Sequence, residues 1–316
     1  MQPEEGLDVS LSRHLSDDEG LKWDALTSLR ERLFKAKHSY LFVDPTSGVP
    51  WDRSYTKVGD SYSEVLVAPR KLNLPKDACP FLVPLNNEVG GIFDWTFEIA
   101  WSQLSDPQAP YPVCAWIGSD LEVGDLQSRM SKQMLQSVGV RTWLFRFYDP
   151  RVSQHLVSFV SKEFCISGPT SWSFLDASGR LQKLPVSETE SIRYPEESSL
   201  ERLDWLKTIN AVINTWPSLT DDIVEIERIY DAARVAAAVG LQPYQQADCV
   251  AFILHRCLVH ERIELHPIVS VWLNDAREMK RPYADAAAHA DADVWKGISA
   301  GDWQLGLNER QGLRYG

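Results

Sequence analysis

The sequence lacks the features of several protein classes. Its longest apolar runs, such as residues 235–241, fall far short of the roughly 20 residues that cross a bilayer. Residues 1–15 hold polar and acidic side chains where a signal peptide needs an apolar stretch. The five cysteines among 316 residues are widely spaced and form no C-x-x-C pair, which argues against a disulfide framework or a zinc ribbon. We therefore expect a cytoplasmic protein with reduced thiols and no membrane insertion.

Basic residues are also in short supply. Lys and Arg total 32 against 44 Asp and Glu, which gives a formal net charge of −12, and the acidic excess is spread over both halves of the chain. A protein that binds nucleic acid normally presents a face rich in Lys and Arg that neutralises phosphates. We therefore expect no nucleic-acid partner.

The apolar content, at 44% with 12 tryptophans, is sufficient for two domains. Residues 113–160 alternate between the two patterns, with strands predicted at 113–117 and 142–148 and helices at 121–138 and 153–160. This order predicts a parallel βαβα crossover. From residue 198 onward apolar residues recur at helical spacing, after a linker rich in Ser, Glu and Pro at 185–197. We predict an α/β lobe with a mixed sheet over residues 1–190 and an all-α helical lobe over residues 191–316.

An amphipathic helix is predicted before the first strand. Ser16 and Glu19 have the spacing of a capping box. The leucines assigned to its buried stripe are Leu21, Leu26, Leu29 and Leu33.

The tryptophans fall into groups with different expected roles. Those of the first half are expected in the core: Trp95, Trp101, Trp116, Trp143 and Trp172. Trp295 and Trp303 lie instead in a tail punctuated by Ala and Gly, beyond the well-patterned helices. Aromatic side chains in that position could anchor a protein partner, so we predict partner binding for these two.

Motifs of common catalytic and cofactor sites are missing. The sequence holds no G-x-x-x-x-G-K-[ST], G-x-G-x-x-G or G-x-S-x-G. The densest group of potential metal ligands is His255, Cys257, His260 and His266. Histidines five residues apart on a helix point about 140° away from each other, whereas zinc ligands four apart share a face. We therefore predict no catalytic residue, no cofactor and no metal site.

Residues 144–152, Leu-Phe-Arg-Phe-Tyr-Asp-Pro-Arg-Val, predict a strand that leads into a helix. Asp149 suits the N-cap and Pro150 suits the first helical position. Arg151 then lies in the first helical turn, where a cation opposes the helix dipole. It therefore needs a carboxylate partner or a ligand.

Arg146 presents the same demand, because it lies within an apolar strand. An internal carboxylate such as Asp44 or Glu98 would satisfy it, and a direct contact with a partner is the alternative.

This stretch resembles the signature of the domain-of-unknown-function family 4123, a strand ending in F-Y-D-P-R-V before a helix. The motif residues are Arg146, Phe147, Tyr148, Asp149, Pro150 and Arg151. Residues 40–44, Y-L-F-V-D, and residues 80–85, P-F-L-V-P-L, are similar to two other strands of that family. The resemblance covers about residues 39–166.

The resemblance implies a non-catalytic function. Members of the family look like adaptor chaperones of bacterial type VI secretion systems, which bind a toxic effector in the cytosol and help load it onto the valine-glycine repeat spike. The expected partners are thus a cognate secreted effector, bound through its N-terminal region, and the spike protein. The motif residues would serve the structure or bind the partner.

Two alternatives stay open at this point. One is an immunity or regulatory protein that binds a toxin. The other is an enzyme with a dispersed site around Arg146, Asp149, Arg151 and His155, the convergent polar residues of the motif region.

Overall fold

A computed structural model describes residues 9–47, 65–67, 69, 72, 74–85, 92–104, 111–138, 141–187, 199, 201–222, 225–301 and 303. The chain divides into two compact units, Met1–Leu200 and Glu201–Gly316. The first holds a sheet with helices and the second holds helices, so the predicted fold class is confirmed. The domain boundary predicted after residue 190 and most of the predicted linker lie outside the described residues.

The first unit is built on a six-stranded antiparallel sheet. The strands of this unit are His38–Val43 (β1), Val65–Leu66 (β2), Phe81–Leu85 (β3), Val113–Ser119 (β4), Leu135–Val138 (β5), Arg141–Leu144 (β6), Ile166–Ser167 (β7), Ser171–Leu175 (β8), Leu181–Lys183 (β9) and Val186–Ser187 (β10). The sheet order is β2-β3-β1-β4-β8-β9. Strands β5 and β6 form a separate antiparallel hairpin, and β7 pairs with β10 in parallel.

Four helices lie in the described residues of this unit before residue 188. They are Val9–Leu33 (α1), Ile92–Gln103 (α2), Val123–Gln133 (α3) and Pro150–His155 (α4). A π-helical turn, Leu156–Val160, continues α4.

The predicted parallel crossover is wrong. The segment at 121–138, interpreted as one helix, contains α3 and then β5, which pairs antiparallel with β6. The strand predicted at 142–148 ends at Leu144 and lies outside the main sheet. Val138, Thr142 and Trp143 are residue types that favour strands, and their pairing overrides the helical spacing of the preceding apolar residues.

The core of the first unit occupies both faces of the sheet, because alternate residues of a strand point to opposite sides. Leu41 and Val43 of β1 lie in a cluster with α1 and α2, which includes Leu29 and Phe97. Phe42, between them, contacts aromatic rings on the other face. Every position of β1 from Ser39 onward is buried.

Two expectations about this core need correction. Helix α1 begins at Val9, before the predicted capping box, and Leu21 is 45% exposed whereas Leu26, Leu29 and Leu33 are buried. Leu21 precedes Leu26 by five residues, which is about 140° around a helix. Trp143 is also exposed, because its strand lies outside the main sheet.

The second unit contains six helices in its described residues: Leu206–Thr215 (α5), Ile226–Ala238 (α6), Gln246–Leu258 (α7), Pro267–Arg277 (α8), Tyr283–Ala288 (α9) and Ala292–Ala300 (α10). Ile209, Ile229 and Phe252 are fully buried and represent the apolar faces of the first three. Across the described part of the chain, none of the helices combines the length and the apolar character needed to cross a membrane.

Met279, just after α8, has a left-handed backbone with φ 57° and is 76% exposed. Its N–H donates to Ala276 O at 3.1 Å, and the next N–H donates to Asp275 O at 2.9 Å. Glycine normally occupies this position after a helix, because a side chain costs about 1–2 kcal/mol there.

We predict that Met279→Gly raises the free energy of unfolding by about 0.5–1 kcal/mol, the strain removed less the entropy of glycine. Urea denaturation of the full chain measures it. The control is Gly240→Ala: Gly240 has φ 91°, and an added Cβ would lie 2.9 Å from Arg277 Cδ. The control should lose stability, and a loss in both variants would contradict the interpretation of Met279.

Candidate functional site

The segment at 144–152 forms the corner between β6 and α4. Asp149 is the N-cap of α4: its Oδ1 accepts a hydrogen bond from the backbone N–H of Arg151 at 3.0 Å. Pro150 occupies the first helical position. Ser153 Oγ donates to Phe147 O at 2.6 Å and ties the new helix back to the corner. The predicted N-cap and helix start are confirmed.

The aromatic residues of the motif attach this corner to the sheet. Phe147 and Tyr148 are buried, and both lie beside Trp172 or Phe42 of the main sheet. The Tyr148 ring centroid is 5.0 Å from that of Phe42, and the Phe147 centroid is 5.6 Å from that of Trp172. Burial raises the pKa of Tyr148 well above its ordinary value, so its phenol stays protonated. These two residues have a structural role.

Arg146 pairs with Asp44, the residue that follows β1. Its Nη2 lies 2.5 Å from Asp44 Oδ2. The other oxygen of this buried carboxylate accepts hydrogen bonds from Thr46 N at 2.9 Å and Thr46 Oγ1 at 2.6 Å. The alternative carboxylate, Glu98, pairs with Lys22 instead. The carboxylate partner that Arg146 requires is therefore supplied inside the chain.

Arg151 pairs with Asp149 through two parallel hydrogen bonds. Its Nε lies 3.0 Å from Oδ1 and its Nη2 lies 2.9 Å from Oδ2. Arg146 Nη2 approaches the same carboxylate at 3.4 Å. The guanidinium of Arg151 also lies 5.3 Å from the ring centroid of Tyr111. The cation that opposes the helix dipole is thus held by the carboxylate that caps the helix.

The two arginines differ from their partners in exposure. The side chains of Arg146 and Arg151 are each 38% exposed, whereas the carboxylates of Asp44 and Asp149 are buried. Burial lowers the pKa of Arg146, but the neighbouring acidic groups, of which Asp44 has the largest effect, together outweigh burial and the net shift is upward. The hydrogen bond to Asp149 raises the pKa of Arg151. The site therefore presents two partly exposed guanidinium groups, and buried carboxylates balance their charges.

The same geometry bears on the dispersed enzyme site. Both oxygens of Asp149 already accept hydrogen bonds, and His155 is fully buried. A general base must reach the proton that it removes. In this structure both side chains make their hydrogen bonds within the chain.

Two neighbours of the motif had no sequence signal of their own. Tyr111 lies beside Arg151, and Cys114 is buried close enough to Asp44 and Asp149 for their charges to act on it. Burial, together with the charges of Asp44 and Asp149, raises the pKa of the Cys114 thiol well above its ordinary value. The contact between Thr46 and Asp44 could be predicted from the sequence Asp-Pro-Thr. In such turns the Asp side chain accepts a hydrogen bond from the backbone N–H two residues later.

The predicted partner-binding tryptophans lie in the second unit, half-buried among histidines. The ring centroid of Trp295, in α10, is 4.6 Å from that of His255 and 5.8 Å from that of Trp272. The Trp303 ring is 5.2 Å from His260 and 5.4 Å from His266. The role of Trp295 and Trp303 in partner binding stays a prediction.

His255 uses its ring within the second unit. Its Nδ1 lies 3.0 Å from the hydroxyl of Tyr283. In the residues that the structure describes, no three His, Cys, Asp or Glu side chains are grouped as a metal ion would require.

The pKa of His255 predicts a pH dependence of stability. Burial lowers this pKa from 6.5 to about 4. Between pH 6.5 and 4 the unfolded chain therefore binds the extra proton, and the free energy of unfolding should fall as the pH falls. The fall from this residue should approach about 3 kcal/mol at pH 4.

Urea denaturation at several pH values between 7 and 4 measures this effect. His255→Gln should flatten the profile in this window, and His289→Gln, at an exposed position, should leave it unchanged. His266, whose pKa is also lowered by burial, contributes to both variants equally. Identical profiles for the two variants would contradict the role of His255.

For the motif itself, we predict that Asp149 matters more to stability than Arg151. Asp149→Ala removes the helix cap and leaves two arginines without this carboxylate, which should cost about 2–3 kcal/mol. Arg151→Ala removes a partly exposed ion pair but keeps the cap, so it should cost less than about 1 kcal/mol. Denaturation midpoints compare them, and equal losses would overturn this order.

Comparison with protein families agrees with the motif. Residues 39–163 match the model of a family described as domain of unknown function (DUF4123). The match begins in β1 and contains Asp44, Arg146, Asp149 and Arg151. Searches of curated proteins and of solved structures found no match to the chain. Over residues 39–163, the chain is therefore similar to the DUF4123 family.

Proposed function

We propose that the chain is a cytoplasmic adaptor chaperone that binds a cognate type VI secretion effector and helps to load it onto the valine-glycine repeat spike. The observation that carries this proposal is the F-Y-D-P-R-V corner within the DUF4123 match. The resemblance of this motif to the family implies the adaptor role.

The geometry of the corner supports binding rather than catalysis. The carboxylates of Asp44 and Asp149 are buried and fully engaged, so they fix the two guanidinium groups in place. Arginine held in a fixed orientation loses little conformational entropy when it binds, and it is enriched among the residues that dominate protein interfaces. The corner therefore suits a protein partner.

Charge and cysteine chemistry support the proposed partner class and compartment. The net charge of −12 disfavours nucleic acid as the partner. All five cysteines are free, and four of them are buried, as expected for a protein in a reducing compartment.

The proposal predicts a secretion defect. Deletion of the gene should abolish secretion of the cognate effector, while secretion of the spike protein continues and serves as the control for a working apparatus. The tagged full chain should retain that effector in a pull-down from the producing cell. Normal effector secretion by the deletion strain, together with no retention, would overturn the adaptor function.

The immunity alternative gives a different result in the same strains. An immunity protein would rescue cells that express the toxin in their own cytosol, and its deletion would leave effector secretion intact. An adaptor shows the opposite pattern.

A further inference from the structure

Helix α1 carries aromatic side chains on a face that the core does not use. Trp23 is 63% exposed and Phe34, in the turn that continues the helix, is 54% exposed. The Phe34 N–H donates to Arg30 O at 3.1 Å, so the helical geometry extends to this residue. Eleven residues span about three turns, which places Trp23 and Phe34 on the same side, about 16 Å apart along the axis. Thr27, between them, is also exposed.

The opposite side of α1 faces the sheet. Ala25, Leu29 and Leu33 are buried there in the cluster with β1 and α2. The exposed aromatic side chains therefore do not belong to this core cluster. Large apolar side chains in a row on a surface mark an interaction site more often than a scattered single residue does.

The charges along this face are unevenly compensated. Toward α2, Lys22 pairs with Glu98 and Arg30 pairs with Asp94. On the other border Asp24 and Glu31 are exposed.

Within the described part of the chain, no basic side chain lies within ion-pair distance of Asp24 or Glu31. Lys35, one turn after Glu31, is exposed as well. The border therefore carries two carboxylates against one ammonium group. Its acidic excess is available to a partner.

We propose that this face of α1, formed by Trp23, Thr27 and Phe34 and bordered by Asp24 and Glu31, binds an amphipathic helix of the effector whose apolar stripe is flanked by Lys or Arg. The proposal rests on the adaptor function above. Anchors three turns apart on one helix match apolar residues at the same spacing on a second helix packed along it. The unpaired carboxylates would select basic flanks and orient the bound helix.

The test uses overlapping 20-residue peptides of the effector that the chain retains, with binding measured by fluorescence anisotropy. The peptide bound most tightly should be amphipathic with basic flanks. The double variant W23A/F34A should weaken its binding at least about thirtyfold, the effect of losing an aromatic anchor. The double variant D24K/E31K should weaken it about tenfold or more at low salt and less at high salt.

A charge exchange makes the test specific. Replacing the flanking Lys or Arg of that peptide by Glu should abolish binding to the natural chain and restore binding to D24K/E31K. The matched control is Y244A/V271A, which truncates equally exposed side chains of the second unit and should bind as the natural chain does. Because all substituted side chains are exposed, circular dichroism should show unchanged folding for every variant.

The outcomes separate this inference from the proposed function. If the full chain retains no effector at all, the adaptor function fails and this inference fails with it. If the natural chain binds the effector and both α1 variants bind it equally well, the adaptor function stands and this inference is overturned. It is also overturned if W23A/F34A changes only self-association in sedimentation experiments, since the face would then join two copies of the chain.

Discussion

The carboxylate of Asp149 is the group on which the motif depends. It accepts the backbone N–H that begins α4, binds Arg151 through two hydrogen bonds, and lies 3.4 Å from Arg146. Arg146 in turn pairs with Asp44, 102 positions earlier in the chain. A buried carboxylate requires several donors to offset the loss of water. The single side chain of Asp149 therefore fixes a helix start, two arginines and a long-range link at once.

This link explains why distant segments belong to one motif. Asp44 is the last residue of the Y-L-F-V-D segment that resembles the family, and Arg146 immediately precedes the F-Y-D-P-R-V segment, so the ion pair joins the two parts directly. Phe147 and Tyr148 reinforce it from the side, because their rings lie against Phe42 and Trp172 of the main sheet. The corner is thus positioned by aromatic packing and held in register by charge. The ion pair would not suffice alone, since a partly exposed ion pair contributes little to stability.

Features that depend on adjacent residues could be predicted from the sequence. Features that depend on pairing between distant segments mostly could not. Asp149 and Pro150 correctly predicted the start of α4, because helix capping depends on adjacent residues. Asp44 could be proposed for Arg146 because a cation in an apolar strand demands an anion. Strand β5 was missed because its apolar spacing also fits a helix, and only its pairing with β6 decides between them. Tyr111 gave no signal, since its contact with Arg151 depends on how β4 enters the sheet.

The proposed binding surfaces differ in how much charge they leave uncompensated. At the motif corner two arginines face two carboxylates, so the net charge is close to zero and the corner has little power to choose among partners by charge. Helix α1 ends before residue 39, where the family match starts, and its border keeps Asp24 and Glu31 unpaired within the described residues. Either surface could make stable contacts with a partner. Only a surface with unpaired charge, however, can discriminate among partners by their charge. If the chain is an adaptor, the family domain then supplies a common scaffold, and selection of one effector falls to the helix that precedes it.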